Sequence, residues 1–261
     1  MHLLDSLATS NIKAIPMLHE QACAIAAYAY SRTLNTTGIC LVTSGPGSTN
    51  ALTGVAAAFT DSIPLLVISG QVSRASSQRS FNLRQRGFQE INIIDVVKPI
   101  TKYARYINDP KKIKFEIEKS LFLAASGRPG PVWLDIPLDV QAAKIDENKL
   151  ISFDKKKIIK KTNPEIKNKK FNKIIQNLKN SKRPLLLLGN GVRLSNAKII
   201  SKEVINLLGI PVQTTWNTMD LIESNNPFYF GRANAYGPRF ANFIIQNADY
   251  ILSIGARLGI Q

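Results

Sequence analysis

The chain has 261 residues, of which 44% are hydrophobic, so it is long enough to bury the cores of one or two domains. Its formal net charge is +16, and much of the excess lies in a lysine-rich segment at 154–184. That segment holds a single aromatic residue, Phe171, whereas nucleic-acid sites usually interleave basic residues with aromatic ones. We therefore expect no nucleic-acid partner and interpret 151–182 as a basic linker followed by a surface helix at 166–180.

The two cysteines and the apolar runs indicate the compartment. Cys23 and Cys40 both lie in apolar segments, which is typical of reduced core residues in an intracellular protein. No secretory signal opens the chain, and no apolar run approaches membrane-spanning length. The sequence thus favours a cytoplasmic protein with no membrane partner.

The first 150 residues alternate predicted strands with predicted helices. Short apolar runs predict strands at 12–18, 38–44, 64–70 and 131–137. Helical patterns follow at 17–32, 44–62, near 90–97 and at 110–126. Short apolar strands separated by helices indicate a parallel sheet that is covered on both faces. We therefore predict that residues 1–150 form a doubly wound α/β domain.

A second α/β unit, of Rossmann-like type, is predicted after the basic segment. Its strands are expected at 183–193, 210–215 and 250–258, and its helices at 196–208 and 239–247. The sequence ends just after the last of these strands, so we expect 183–261 to be only the start of such a domain.

Glu20 stands where the predicted strand 12–18 gives way to a helix. A carboxylate in a first helical turn stabilises the helix dipole, so capping is one explanation of this residue. A glycine turn, TSGPGSTN at 43–50, follows about two dozen residues later. Its glycines would let a ligand or another backbone approach closely. It is neither a P-loop nor a dinucleotide fingerprint, because Gly-Lys-Ser/Thr and the third glycine are missing.

Four segments in order resemble the thiamine-diphosphate enzymes of the acetolactate synthase type. They read HEQACAIAAYAYSR, LVTSGPGSTNALTGVAAAFTDSIPLLVISGQV, RGFQEINIIDVVKPITKYA and GRPGPVWLDIPLDVQ. The resemblance runs across 12–145 and continues more weakly over 183–258. It implies that 1–150 is a pyrimidine-binding domain without its first strand and that 183–261 is an incomplete central domain.

The resemblance also implies roles for single residues. Glu20 would contact the aminopyrimidine ring of the cofactor and favour the imino form that activates it. We expect the apolar surroundings of this carboxylate to raise its pKa. The same resemblance places Gly45, Pro46, Gly47 and Asn50 in a turn that binds the cofactor.

Four further residues follow from the resemblance, and three of them have a plain structural alternative. Phe88 and Gln89 would face the reacting centre, with Gln89 as the second catalytic residue. Lys102 would lie at the substrate entrance, and Arg128 would contact FAD. Alternatively, Gln89 is a polar surface residue, Lys102 is a solvated strand-edge lysine, and Arg128 merely stiffens a turn.

The implied cofactors are thiamine diphosphate, Mg²⁺ and, as a further candidate, FAD. The family holds Mg²⁺ through Gly-Asp-Gly and Asn-Asn motifs, and Gly-Asp-Gly is absent from this sequence. We therefore expect no metal ligand within the chain and assign the Mg²⁺ ligands to a C-terminal domain. Tight cofactor binding would then need a second copy, as a homodimer, or a complementary C-terminal half. A small regulatory subunit is another partner that the resemblance suggests.

The implied activity is a carboligation. The enzyme would decarboxylate a 2-oxo acid such as pyruvate and ligate the two-carbon unit to a second 2-oxo acid, as in branched-chain amino acid biosynthesis. The sequence is also compatible with another thiamine-diphosphate decarboxylase or carboligase, for example in surface-sugar synthesis. A truncated, non-catalytic remnant and a nucleotide-binding or regulatory module stay open at this point.

Overall fold

The computed structural model describes residues 2–78, 81, 83–158 and 168–259. The chain divides into two compact units, 1–161 and 162–261, and each is considered by itself. Within the described ranges, no helix is both long enough and apolar enough to cross a membrane.

The first unit contains a four-stranded parallel sheet with helices on both faces. In chain order the elements are α1 (His2–Ala8), α2 (Glu20–Leu34), β1 (Gly38–Val42), α3 (Pro46–Asn50), α4 (Leu52–Asp61), β2 (Leu65–Gln71), α5 (Ile93–Val97), β3 (Tyr103–Tyr106), α6 (Ile113–Ala125), β4 (Pro131–Pro137) and α7 (Leu138–Gln141). The strand order is β1-β2-β4-β3. The three apolar runs predicted at 38–44, 64–70 and 131–137 thus lie side by side, which confirms the mainly parallel, doubly wound α/β fold.

Alternate residues of the central strands face two separate cores. Leu65 and Val67 of β2 pack with Trp133 of β4 against the side of the sheet that carries α2 and α4. Leu66 points the other way and packs with Leu134 in the core beneath α6. Because successive strand residues face opposite sides, an uninterrupted apolar run supplies both layers.

The predicted strand at 12–18 is wrong. The structure gives these residues no regular structure, and Ile12, Ile15 and Leu18 are exposed. A strand needs a neighbour for its backbone groups, and no described strand pairs with this segment. Pro16 also lacks the N–H that a ladder would use. The apolar run therefore remains extended but unpaired.

The second unit contains a three-stranded parallel sheet in the order β6-β5-β7. Its elements are α8 (Asn168–Asn180), β5 (Pro184–Leu188), α9 (Gly191–Leu194), α10 (Lys198–Leu208), β6 (Val212–Thr214), α11 (Arg239–Asn247) and β7 (Tyr250–Ile254). Leu186, Leu188 and Val212 pack with Ile205 of α10 in its core. The predicted strands and helices of this unit are present, and α8 is the expected lysine-rich helix. Residues 159–167 of the predicted linker and helix start lie outside the described residues.

Candidate functional site

The helix α2 begins at Glu20, but the capping side chain belongs to the residue before it. His19 has extended backbone angles, and its Nδ1 accepts a hydrogen bond of 3.1 Å from the backbone N–H of Gln21. An N-cap side chain normally satisfies a free N–H of the first turn in this way. The carboxylate of Glu20 is directed instead toward the glycine turn that follows β1.

Two glycines of that turn are required by neighbours that come very close. Gly45 has φ +62°, and a β-carbon there would lie 2.1 Å from the backbone oxygen of Gln89. A β-carbon on Gly47 would lie 3.1 Å from Oε1 of Glu20 and 2.6 Å from Cγ2 of Thr43. Pro46, between them, occupies the first turn of α3, where its missing N–H costs nothing. The turn thus joins α2 to the loop that carries Gln89.

Asn50 fixes the other oxygen of the Glu20 carboxylate. Its Nδ2 donates a hydrogen bond of 3.1 Å to Oε2 of Glu20. This bond, with a second from the backbone N–H of Glu20 itself, outweighs partial burial and lowers the pKa of the carboxyl. The raised pKa expected from the apolar sequence of α2 is therefore wrong. The small residues of α2 face the sheet, whereas the carboxylate at its start meets amide donors.

Phe88 and Gln89 are held by a carboxylate that the sequence did not single out. Glu90 is buried, with 6% of its surface exposed, and accepts hydrogen bonds from Ser77 Oγ at 2.6 Å and from the backbone N–H of Gly87 at 3.0 Å. The next residue back, Gln89, adopts a left-handed φ of +54°, and Phe88 is 83% exposed. In the sequence, Glu90 is marked only as the single acidic residue after a basic segment.

These residues gather at one edge of the sheet. The glycine turn follows the carboxyl end of β1, and the loop with Phe88 and Gln89 follows the carboxyl end of β2. In open parallel sheets, ligands bind in the crevice outside the carboxyl ends of the strands. Glu20, Asn50 and Gln89 therefore stand where this fold usually holds a small molecule.

Lys102 lies at the opposite end of the strands, beside the amino termini of β3 and β4. Its backbone N–H donates to the oxygen of Pro131, the first residue of β4, at 2.8 Å. Its amine donates to the backbone oxygens of Leu123 and Ser126, at the end of α6. A lysine in this place satisfies the free carbonyls of a helix end. Its expected role at a substrate entrance stays a prediction.

Arg128 is at the same amino-terminal edge. Its Nε donates a hydrogen bond of 2.7 Å to Oγ of Ser62, which ends α4 just before β2. The structure thus brings Glu20, the glycine turn and Gln89 together and leaves Lys102 and Arg128 apart from them. The expected contact between Arg128 and FAD also stays a prediction.

Two family descriptions match the chain. Residues 1–96 match "Thiamine pyrophosphate enzyme, N-terminal TPP binding domain", and residues 171–260 match "Thiamine pyrophosphate enzyme, central domain". The chain belongs to the thiamine pyrophosphate enzymes. Thiamine pyrophosphate is the cofactor that we call thiamine diphosphate.

Relatives within this family are named as acetolactate synthases. The large subunit from Cyanidium caldarium is 36% identical over 94% of this chain and 41% of its own length. A probable large subunit from Methanococcus aeolicus is 37% identical over 97% of this chain and 41% of its own length. The isozyme 2 large subunit of Escherichia coli K12 is 31% identical over 98% of this chain and 45% of its own length. The chain therefore spans less than half the length of these relatives and matches their N-terminal part.

The residues at the sheet edge fit the pyrimidine end of the family's cofactor. Glu20 offers an ionised acceptor for a ring N–H, and Gly47, which has no side chain, lets the turn pack closely against that carboxylate. The described residues contain no group of three or more His, Cys, Asp or Glu side chains that could hold a metal ion.

Proposed function

We propose that this chain supplies the pyrimidine-binding part of an acetolactate synthase-like enzyme. That enzyme decarboxylates a 2-oxo acid such as pyruvate and ligates the two-carbon unit to a second 2-oxo acid, as branched-chain amino acid biosynthesis requires. The observation that carries the proposal is the position of the Glu20 carboxylate, held by Asn50 and set against Gly47. The names of the relatives support the reaction class.

Glu20 accepts a hydrogen bond from the cofactor ring in this mechanism. Bound thiamine diphosphate supplies the carbon nucleophile that adds to a 2-oxo acid. Because its pKa is lowered, Glu20 is ionised at neutral pH and accepts a hydrogen bond from a ring N–H. Asn50 keeps the carboxylate in that orientation, and Gly47 has no side chain that would displace it.

Gln89 serves the substrate side of the same crevice. Its backbone oxygen is fixed against Gly45, so its amide group starts from a defined position. An amide can donate a hydrogen bond to the carbonyl of a 2-oxo acid. Phe88, whose ring is exposed, covers apolar substrate surface and excludes water from the reacting carbon.

The diphosphate and Mg²⁺ are assigned to residues beyond this chain. The relatives are more than twice as long as the part that matches this chain. We therefore propose that a part equivalent to the relatives' unmatched region, or a second copy of this chain, completes the site. A homodimer, a complementary C-terminal half and a small regulatory subunit are the proposed partners. FAD is the proposed second cofactor, and the flavin absorbance of the purified protein tests it.

The deciding experiment replaces Glu20 by Gln in the protein assembled with the part that completes the site. We expect acetolactate formation from pyruvate to fall on the order of a hundredfold, the usual scale for a lost acid–base group. Glu147→Gln, on an exposed turn, removes the same charge elsewhere and serves as the control. Equal activity of the two variants would show that Glu20 has no catalytic role.

Thermal melting separates catalysis from capping. If Glu20 merely stabilised α2, its replacement would cost about 0.3–1 kcal/mol of stability and leave turnover intact. Because His19 already caps the helix, we expect melting to be unchanged while turnover falls. Release of acetaldehyde from pyruvate without acetolactate would instead favour a decarboxylase of the same family.

A further inference from the structure

The two cysteines of the chain lie side by side. The chain has two cysteines in all, and both are free thiols. Their Sγ atoms are 3.4 Å apart. Cys23 is on α2, one helical turn after Glu20, and Cys40 is in the middle of β1. The sulfur pair therefore connects the helix that carries the candidate catalytic carboxylate to the sheet beneath it.

The surroundings give the two sulfurs different chemistry. Cys40 is fully buried, at 0% exposure, whereas Cys23 is partly accessible. A hydrogen bond from the Cys40 thiol and another from the backbone of Leu41 lower the pKa of Cys23, although burial opposes them. The pKa of Cys40 is raised because its proton is held in that bond and its sulfur is buried. Cys23 is thus the nucleophile, and Cys40 is the thiol that can follow it.

We propose that Cys23 and Cys40 are an oxidation site that forms a reversible disulfide within one chain. Hydrogen peroxide is the oxidant. The Cys23 thiolate attacks one peroxide oxygen, the O–O bond takes up two electrons and breaks, and hydroxide leaves with a proton as water. The Cys40 sulfur then attacks the resulting sulfenic acid, its proton leaves with the second hydroxide as water, and the S–S bond forms.

Closing the bond draws α2 toward β1. The sulfurs, now 3.4 Å apart, must approach by about 1.4 Å to reach the usual S–S length of about 2.0 Å. Side-chain rotation supplies part of that movement, and α2 supplies the rest. Since Glu20 opens α2, oxidation moves its carboxylate relative to Asn50. This consequence, unlike the disulfide itself, rests on the proposed function.

The disulfide can be tested on the wild-type chain without any substitution. The protein is treated with hydrogen peroxide at neutral pH, quenched, denatured and alkylated, and free thiols are counted by intact mass. We expect the two free thiols to fall to none, with the chain still monomeric on a non-reducing gel and both thiols restored by dithiothreitol. Linked dimers, or an oxygenated Cys23 beside a free Cys40, would overturn the proposal.

Two variants assign the roles of the sulfurs. In Cys40→Ala, Cys23 should stop at the sulfenic acid, which dimedone traps, and should react roughly threefold more slowly because its thiolate is less stabilised. In Cys23→Ala, the buried Cys40 should stay reduced under the same treatment. Rapid oxidation of Cys40 in that variant would contradict the assigned order of attack.

A binding measurement tests the link to Glu20 separately. Thiamine diphosphate with Mg²⁺ is titrated into the completed protein, that is, this chain assembled with the part that completes the site. The protein is titrated once after oxidation and once after reduction with dithiothreitol. We expect the oxidised form to bind about fivefold more weakly and the reduced form to recover. Unchanged affinity in a fully disulfide-bonded sample would refute the link to Glu20 and leave the oxidation site itself established.

Discussion

Gly47 and Glu20 are so close that no side chain fits between them. A β-carbon added at position 47 would lie 3.1 Å from Oε1 of Glu20, a separation tighter than ordinary van der Waals contact. The backbone of Gly47 is helical, so its conformation alone would accept alanine. The absence of a side chain at this position is therefore explained by the carboxylate and by Thr43, and not by a turn that needs glycine.

Gly47→Ala should weaken cofactor binding without unfolding the chain. The new methyl group displaces the Glu20 carboxylate, so we expect thiamine diphosphate to bind roughly tenfold more weakly, or about 1.4 kcal/mol. Alanine is the better helix former by up to about 1 kcal/mol, which offsets part of the local strain. Calorimetric titration of the completed protein, with melting of the same samples, measures both effects.

A double variant identifies which neighbour is responsible. The same methyl group would also lie 2.6 Å from Cγ2 of Thr43, and Thr43→Ser removes that carbon while keeping the hydroxyl. If displacement of Glu20 causes the loss, Gly47→Ala with Thr43→Ser binds as weakly as Gly47→Ala alone. Recovery of wild-type affinity in the double variant would assign the loss to Thr43 instead.

Asn50→Ala should shift the acidic limb of cofactor binding to higher pH. The Asn50 hydrogen bond is the largest cause of the lowered pKa of Glu20, so its removal moves that pKa upward. Protonated Glu20 cannot accept a ring N–H, and binding is then lost at a higher pH than in the wild type. Affinity measured across pH 4–7 gives the limb for each protein.

Thr49→Ala is the matched control for that measurement. Thr49 precedes Asn50 in α3, and its hydroxyl donates to the oxygen of Pro46 and not to Glu20. Its substitution should leave the pH profile in place. Identical profiles for Asn50→Ala and the wild type would show that the amide does not set the ionisation of Glu20.

The strands show what an apolar run can and cannot predict. The predicted strand at 131–137 is observed as β4, Pro131–Pro137, and every one of its residues is buried. The run at 12–18 is also apolar, but none of the strands that the structure describes pairs with it, and it stays exposed. β3, Tyr103–Tyr106, was missed because it is short and carries Arg105. Apolar pattern indicates a capacity for burial, whereas pairing depends on the rest of the sheet.

The site shows the same division between motif and tertiary contact. The sequence singled out Glu20, Gly47 and Asn50, and the structure brings the three together. Glu90 stood out only as a single acid after a basic segment, because its hydrogen bonds include one from Ser77, 13 positions earlier, and such a contact is not visible in a sequence pattern. The direction of the Glu20 pKa shift was missed for a similar reason, since it depends on a donor 30 positions away.

Glu90→Gln should destabilise the first unit at neutral pH but not in acid. Burial raises the pKa of this carboxyl, but hydrogen bonds from Ser77 and from the backbone of Gly87, Gln78 and Arg86 outweigh it, so the pKa is lowered. A lowered folded-state pKa contributes stability that is complete above the unfolded value of about 4.3 and is lost as pH falls through the folded value. We expect a difference of about 1.5–3 kcal/mol near pH 7 that shrinks below about pH 4.

Urea unfolding at several pH values measures that difference. Glu147→Gln, on an exposed turn, controls for the change in net charge and should show no such pH dependence. A constant gap between wild type and Glu90→Gln from neutral to acid pH would mean that the loop is held by shape and not by the ionised carboxylate.

Two buried serines should respond in opposite ways to the same substitution. Ser69 and Ser120 are both 0% exposed. Ser69 Oγ donates to Asp135 at 2.6 Å and accepts from Trp133 Nε1 at 2.8 Å. Ser120 Oγ has no hydrogen-bond partner within the described part of the chain. Ser69→Ala therefore loses a donor to a buried carboxylate and strands an indole N–H, whereas Ser120→Ala removes a hydroxyl that was buried without compensation.

We expect Ser69→Ala to cost about 2–3 kcal/mol and Ser120→Ala to be neutral or stabilising by up to about 1 kcal/mol. Both variants delete one oxygen from a fully buried site, so the lost volume is the same and the hydrogen bonds account for the contrast. Urea unfolding followed by the fluorescence of Trp133 and Trp216 reports the difference. Equal destabilisation by the two substitutions would show that packing of the hydroxyl oxygen, and not its partners, determines the stability of these sites.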